Sequence, residues 1–117
     1  MGLDIDLSHV HENYPCLQSR GAFVQNKPEL HEFDQFQDNS EHLGSLLGGD
    51  KAHVVIDDGI HTDEAILSTL KSFYPYLASE FVYFIEDNCS VSRKIARQYP
   101  EFNVFAFGEM TVVQRAA

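Results

Sequence analysis

Four apolar runs that each end in carboxylates constrain this chain's possible folds more than any other feature of the sequence. Gly2-Leu3-Asp4-Ile5-Asp6 is the first, and Leu30 to Phe33, closing on Asp34, is the second. Ala52-His53-Val54-Val55-Ile56 closes on Asp57-Asp58-Gly59, and Phe81 to Ile85 closes on Glu86-Asp87. Helical patterns separate the runs. Strands alternating with helices read as a largely parallel sheet covered on both faces, an α/β fold in three layers.

The stretches between the strands carry their own start and stop signals. Ser8 to about Gln18 reads as a helix interrupted or ended near Pro15, and Ala22 to Val24 as a short extended piece. Ser40 offers an N-cap to a helix bearing Leu43, Leu46 and Leu47, which Gly48-Gly49 terminates. Ala52 to Ile56 is β-branched in the manner of a strand buried on both faces. Thr62 caps the next helix, where Asp63 and Glu64 suit the positive end of the dipole. Ile66, Leu70, Phe73 and Leu77 fall at helical spacing and face the sheet. Ser90 caps a helix through about Gln98, and Pro100 lies beyond it. Asn103 to Phe107 and Thr111 to Gln114 form two strands around Gly108-Glu109-Met110, an antiparallel finish. The order is β-α-β-α-β-α-β-α-β-β, one domain over 1–117 with no internal repeat.

Charge removes some functions from consideration. The formal net charge is −10, and the eight Lys and Arg are scattered, which argues against nucleic acid as the main partner because affinity there rests on neutralising phosphates. No apolar stretch approaches the roughly 20 residues that span a bilayer, and the first residues lack a signal-peptide pattern. The expectation is a cytoplasmic protein with no membrane partner. Cys16 and Cys89 stand at no metal or redox spacing and read as thiols.

In an open α/β sheet, ligands bind beyond the carboxyl ends of the strands, so the four acidic endings line one rim. A lone acid there is commonly a cap or a turn former. Two doubled acids repel unless a cation sits between them, and an all-oxygen ligand set calls for a hard ion, Mg²⁺ before Mn²⁺ or Ca²⁺. His61, three residues after Asp58 and at the start of a helix, is placed to act as a general base; its bland reading is a capping or surface histidine. His9 and His11 do not share a helix face, and His31, His42 and His53 stand at no informative spacing.

Three segments together resemble a known family: Val54-Val55-Ile56-Asp57-Asp58-Gly59-Ile60-His61, then Phe73-Tyr74-Pro75-Tyr76-Leu77, then Val82-Tyr83-Phe84-Ile85-Glu86-Asp87. They are similar to the I-D-D-G-S-H, F-x-x-L-F-P-x-L and Y-x-I-E-D motifs of the macrocin O-methyltransferase and cephalosporin hydroxylase-like group of class I methyltransferases. The resemblance implies a Rossmann-like methyltransferase sheet, mostly parallel with an antiparallel C-terminal strand. It implies S-adenosylmethionine and Mg²⁺ as cofactors and a small-molecule hydroxyl, on a sugar or natural product, as acceptor. Carried over residue by residue, Asp58, Glu86 and Asp87 hold Mg²⁺ and His61 is the catalytic base. Asp4 bonds the cofactor ribose, Asp34 and Gln35 fall at its adenine, and Asp57 joins the cofactor contacts.

Departures from the family pattern set further expectations. Ile60 stands for Ser, and Ala78-Ser79-Glu80-Phe81 replaces a turn with paired glycines. The family's first strand and its glycine-rich loop have no counterpart before Asp4, so the domain reads as partial, truncated at the N-terminus, with poor cofactor affinity. That strand lies between the Gly2–Asp6 and Ala52–Ile56 strands in the family. Its absence predicts that these two pair directly or that a homodimer covers their edges. Two other functions compete: an inactive, methyltransferase-like binding or oligomerising module, and a phospho-acceptor receiver domain. The receiver requires an acid pair after its first strand and a Lys closing its fifth, which this sequence does not provide.

Overall fold

A computed structural model describes residues 1–116. The residues group into two compact units, Met1–Asp34 and Gln35 onward. In the first, β1 (Gly2–Asp4) and β2 (Leu30–Glu32) pair in parallel, with Gly2 opposite Leu30 and Asp4 opposite Glu32. Helix α1 (Ser8–Ser19) connects them. Asp6 prepares its start by accepting the Ser8 N–H at 2.8 Å. The helix runs through Pro15, contrary to the expected break. Pro15 leaves the His11 carbonyl without its helical donor, on a helix with no buried residue to dislodge. Ala22 to Val24 is a turn instead of an extended piece: Phe23 adopts φ 58°, and its ring stacks on Tyr14 with centroids 5.6 Å apart.

The second unit begins with α2 (Ser40–Leu47), preceded by Asn39 at the N-cap and closed by Gly48 in the left-handed conformation. Ser40 is the first helical residue and not the cap, because Asp38 Oδ1 accepts both its N–H and its hydroxyl. Strand β3 (Ala52–Asp57) leads to α3 (Asp63–Phe73), whose N-cap Thr62 accepts the Ala65 N–H. Ile66, Leu70 and Phe73 are buried on α3 as their spacing predicts, but Leu77 belongs to the next strand. Pro75 has no N–H to offer the Lys71 carbonyl, so the chain tightens into a 3₁₀ turn over Tyr74–Tyr76. Strand β4 (Leu77–Ile85) then begins four residues earlier than the sequence suggests. Helix α4 (Ser92–Gln98), β5 (Phe102–Phe107) and β6 (Met110–Arg115) complete the unit.

These four strands lie in the order β3-β4-β6-β5, with β3 and β4 parallel and both β6 pairings antiparallel. Phe81, Tyr83 and Ile85 of β4 point to the buried face, where Phe73 of α3 meets Tyr83 edge-on at 6.1 Å. Val91 and Ile95 close the core from the α4 side.

Two strand expectations are corrected. β3 is not buried on both faces: Val55 and Asp57 are buried, but Val54 and Ile56 are 61% and 62% exposed. The strand lies at the sheet's edge, and α3, whose Phe73 meets Tyr83, packs on the opposite face. Of the two arrangements expected for the first and third strands, direct pairing is the one not formed, since β1 pairs with β2 and β3 with β4.

Candidate active site

The parallel β3/β4 pair ends in Asp57 and Ile85, and the acids that follow share one rim of that sheet. The Glu86 N–H donates to the Asp57 carbonyl at 3.0 Å and carries the ladder one step past the last strand pair. Beyond it the chain turns at Asp87, whose φ of 54° is unusual for a residue with a Cβ. The turn projects Asp87 toward the β3–α3 loop, and Asp87 Oδ2 lies 3.6 Å from His61 Nε2. Asp58, His61 and Asp87 each present one ligand atom, all within 4.8 Å of one another, and all three side chains are exposed.

Gln35 grips that loop from beneath. Its Oε1 accepts the Ile60 N–H at 2.7 Å, and its Nε2 donates to Asp57 Oδ1 and Thr69 Oγ1, each at 3.0 Å. A Cβ on Gly59 would collide with the same Gln35 oxygen, so the close approach requires glycine there. Asp57 is only 6% exposed. Burial raises its pKa above the usual carboxylate range, against the opposing pull of the Gly59 N–H and the Gln35 amide. Its second oxygen and the Tyr83 hydroxyl have no partner in hydrogen-bond geometry among the described residues. The two still influence each other: Tyr83 is pushed well above 10.0, by burial first and by the Asp57 carboxylate second.

Asn88 joins the two loops. Its Nδ2 donates to the His61 carbonyl at 2.9 Å and to Asp63 Oδ1 at 2.8 Å. Its Oδ1 accepts from Val91 N at 2.9 Å and Ser90 Oγ at 3.0 Å, and its carbonyl accepts the Thr111 hydroxyl at 2.8 Å. Ser90, the cap expected from sequence, therefore leans on Asn88, and the cap position falls one residue later, at Val91. Lys94 meets Asp63 Oδ2 at 2.5 Å and, with Asn88, holds the Asp63 carboxyl below its ordinary range.

The structure thus brings together Asp58, His61 and Asp87 from the sequence-derived set. Glu86, half-buried, is outside that grouping of ligand atoms. Gln35 and Asp57, expected at the cofactor, spend their amide and one carboxylate oxygen on protein partners. In the first unit, Asp4 closes β1 with an exposed carboxylate that accepts the Asp6 N–H at 3.2 Å, and Asp34 lies just beyond β2. Asn88, Thr69 and Tyr83 were not foreseen. Only Asn88 carried a usable signal, an Asn placed directly after the acidic pair where the chain must turn.

A small divalent ion fits the Asp58–Asp87 pair, since ligands about 2.1 Å from an ion lie up to about 4.2 Å apart and modest side-chain rotation closes the difference. S-adenosylmethionine is matched less completely. The Gln35 amide and one Asp57 carboxylate oxygen are engaged by protein partners.

Comparison with solved structures assigns the fold to a class: α/β, a Rossmann-like methyltransferase fold with a mostly parallel sheet. The similarity is to the MycE methyltransferase from the mycinamycin biosynthetic pathway, in a complex with Mg and SAH and in one with Mg, SAH and mycinamycin VI. TM-scores are 0.64 and 0.63 at 19% and 20% identity, with 98% of this chain covered. The chain spans 36% of the length of those structures. No family model and no curated protein matches the sequence. No helix among the described residues is long and apolar enough to cross a membrane.

Proposed function

We propose that this chain is part of an S-adenosylmethionine-dependent O-methyltransferase in which a divalent ion, Mg²⁺ by ligand chemistry, assists transfer to a small-molecule hydroxyl. The observation that carries the reading is the convergence of Asp58, His61 and Asp87 at the carboxyl rim of a methyltransferase-like sheet. Asp58 and Asp87 are the proposed ion ligands, and Glu86 could join as a third only by turning its carboxylate toward them. Asp4 and Asp34 are the proposed contacts to ribose and adenine.

When bound, the ion supplies a charge that acidifies a hydroxyl, and S-adenosylmethionine supplies an electrophilic methyl group. The protein's own part is proton transfer and placement. His61 Nε2 takes the acceptor's hydroxyl proton, and Asp87, 3.6 Å away, steadies the imidazolium that results. Asn88 and Gln35 fix the backbone on either side of the base, so little ordering remains to be done when substrates arrive.

Calorimetry with Mg²⁺ and with S-adenosylhomocysteine tests the reading. Asp58→Asn should weaken Mg²⁺ binding about tenfold or more. His61→Ala should leave ion binding intact and reduce methyl transfer by about 10²-fold or more. Unchanged Mg²⁺ affinity in Asp58→Asn would mean that the ligands are misassigned. The internal bonds of Gln35 and Asp57 favour a second reading, a module that keeps the ion site but not the cofactor. Ion binding without nucleoside binding up to millimolar concentration would select it.

A further inference from the structure

We infer that Asn88 is a positioning residue, the brace that holds the His61 loop and the Asp87 turn in one fixed geometry. The inference rests on the reading of Asp58, His61 and Asp87 as the reacting set, and it assigns the residue that keeps that set assembled. Asp58 and His61 sit on the β3–α3 loop and Asp87 on the β4–α4 loop, so separate segments must be held in register. Both His61 and Asp87 are substantially exposed, 43% and 61%, and packing does not hold their side chains.

Hydrogen bonds do that work, and on the Asp87 side they converge on one residue. The two amide donors of Asn88 go to the base loop, at the His61 carbonyl and the Asp63 carboxylate. Its side-chain oxygen goes to the start of α4, at Val91 N and Ser90 Oγ. Its carbonyl is held from β6 by Thr111, which is fully buried. One side chain and its own backbone therefore link α3, α4 and β6.

Asp87 immediately precedes this brace and carries the left-handed backbone, φ 54°. Asp tolerates that region better than most residues with a Cβ, and holding it in one such conformation takes support from its surroundings. The five bonds to Asn88 supply that support.

The test uses the full chain, with Mn²⁺ alone as probe. Wild type should bind Mn²⁺, quench the free-ion electron paramagnetic resonance signal and broaden the His61 ring resonances. Asn88→Ala should weaken Mn²⁺ binding about tenfold, the usual scale for residues that orient ligands. Asn88→Asp keeps the acceptor for Val91 and Ser90 and loses both donors, so α4 keeps its start if Asn88→Ala fails to fold. In that variant the backbone amides of residues 58–62 should show increased fast motion by ¹⁵N relaxation, while those of α3 and β4 keep wild-type values. A purely structural role would soften α4 and the sheet together and leave the loop no worse than its surroundings. Wild-type loop order in Asn88→Asp overturns the brace, whatever Mn²⁺ does. An ordered wild-type loop without Mn²⁺ binding removes the metal reading instead, and the relaxation comparison still decides the role of Asn88.

Discussion

Gly59 shows how much of the site depends on a missing side chain. Gln35 passes so close to the Gly59 α-carbon that a methyl there displaces either the amide or the loop. Gly59→Ala should destabilise the protein by about 1–3 kcal/mol, measurable by urea denaturation, because a displaced Gln35 amide gives up its bonds to Ile60, Asp57 and Thr69. Away from the site, Tyr74 donates to Glu101 Oε1 at 2.7 Å and holds that carboxyl below its ordinary 4.5. A depressed acid contributes stability that is complete above its unfolded value and is lost as pH falls through the folded one. The melting-temperature difference between wild type and Tyr74→Phe should therefore shrink as the pH is lowered below about 4.5. A difference that grows toward acid pH would mean the pair is not formed in solution.

At the level of elements, the sequence exposed the pattern of strands and helices but not their edges. Every predicted strand except Ala22 to Val24 is present, since apolar runs bounded by turn residues leave few alternatives. Boundaries moved where a single residue outweighed the pattern: Pro75 ended α3 before Leu77, and Asn88 moved the cap of α4 from Ser90 to Val91. The acids of the rim were legible because they sit next to the strands in sequence. The grip of Gln35 on Asp57, Thr69 and Ile60 was not, because it joins positions up to 34 apart that only folding brings together. The sequence also gave no means to tell a strand buried on both faces from an edge strand, since β-branched residues suit either. Register places Val54 and Ile56 on the same face as Phe84, Val112 and Phe105, and only the interior of that surface is covered. Ile56→Lys should change the unfolding free energy by no more than about 0.5 kcal/mol and reduce self-association in sedimentation experiments. A loss of several kcal/mol would show that the face is covered in solution.

Across the whole molecule, buried apolar residues are distributed unevenly. Leu7 and Phe33 are the buried hydrophobic side chains of the first unit among the described residues, and α1 has none. The second unit encloses Leu43, Ile66, Leu70, Tyr83, Ile85, Val91, Ile95 and Val113 almost completely. Local opening costs less where fewer apolar contacts must be broken. Native-state hydrogen exchange should therefore show weaker protection for β1 and α1 amides than for β4 and β6. Equal protection would indicate that the units open as one.

Asp87 sets resilience and usefulness against each other at a single codon. Its backbone sits where glycine rests without penalty and where most residues with a Cβ lose about 1 kcal/mol, Asp somewhat less. Random variants sorted only for heat tolerance should accumulate Asp87→Gly, whereas variants sorted for ion retention should keep the carboxylate.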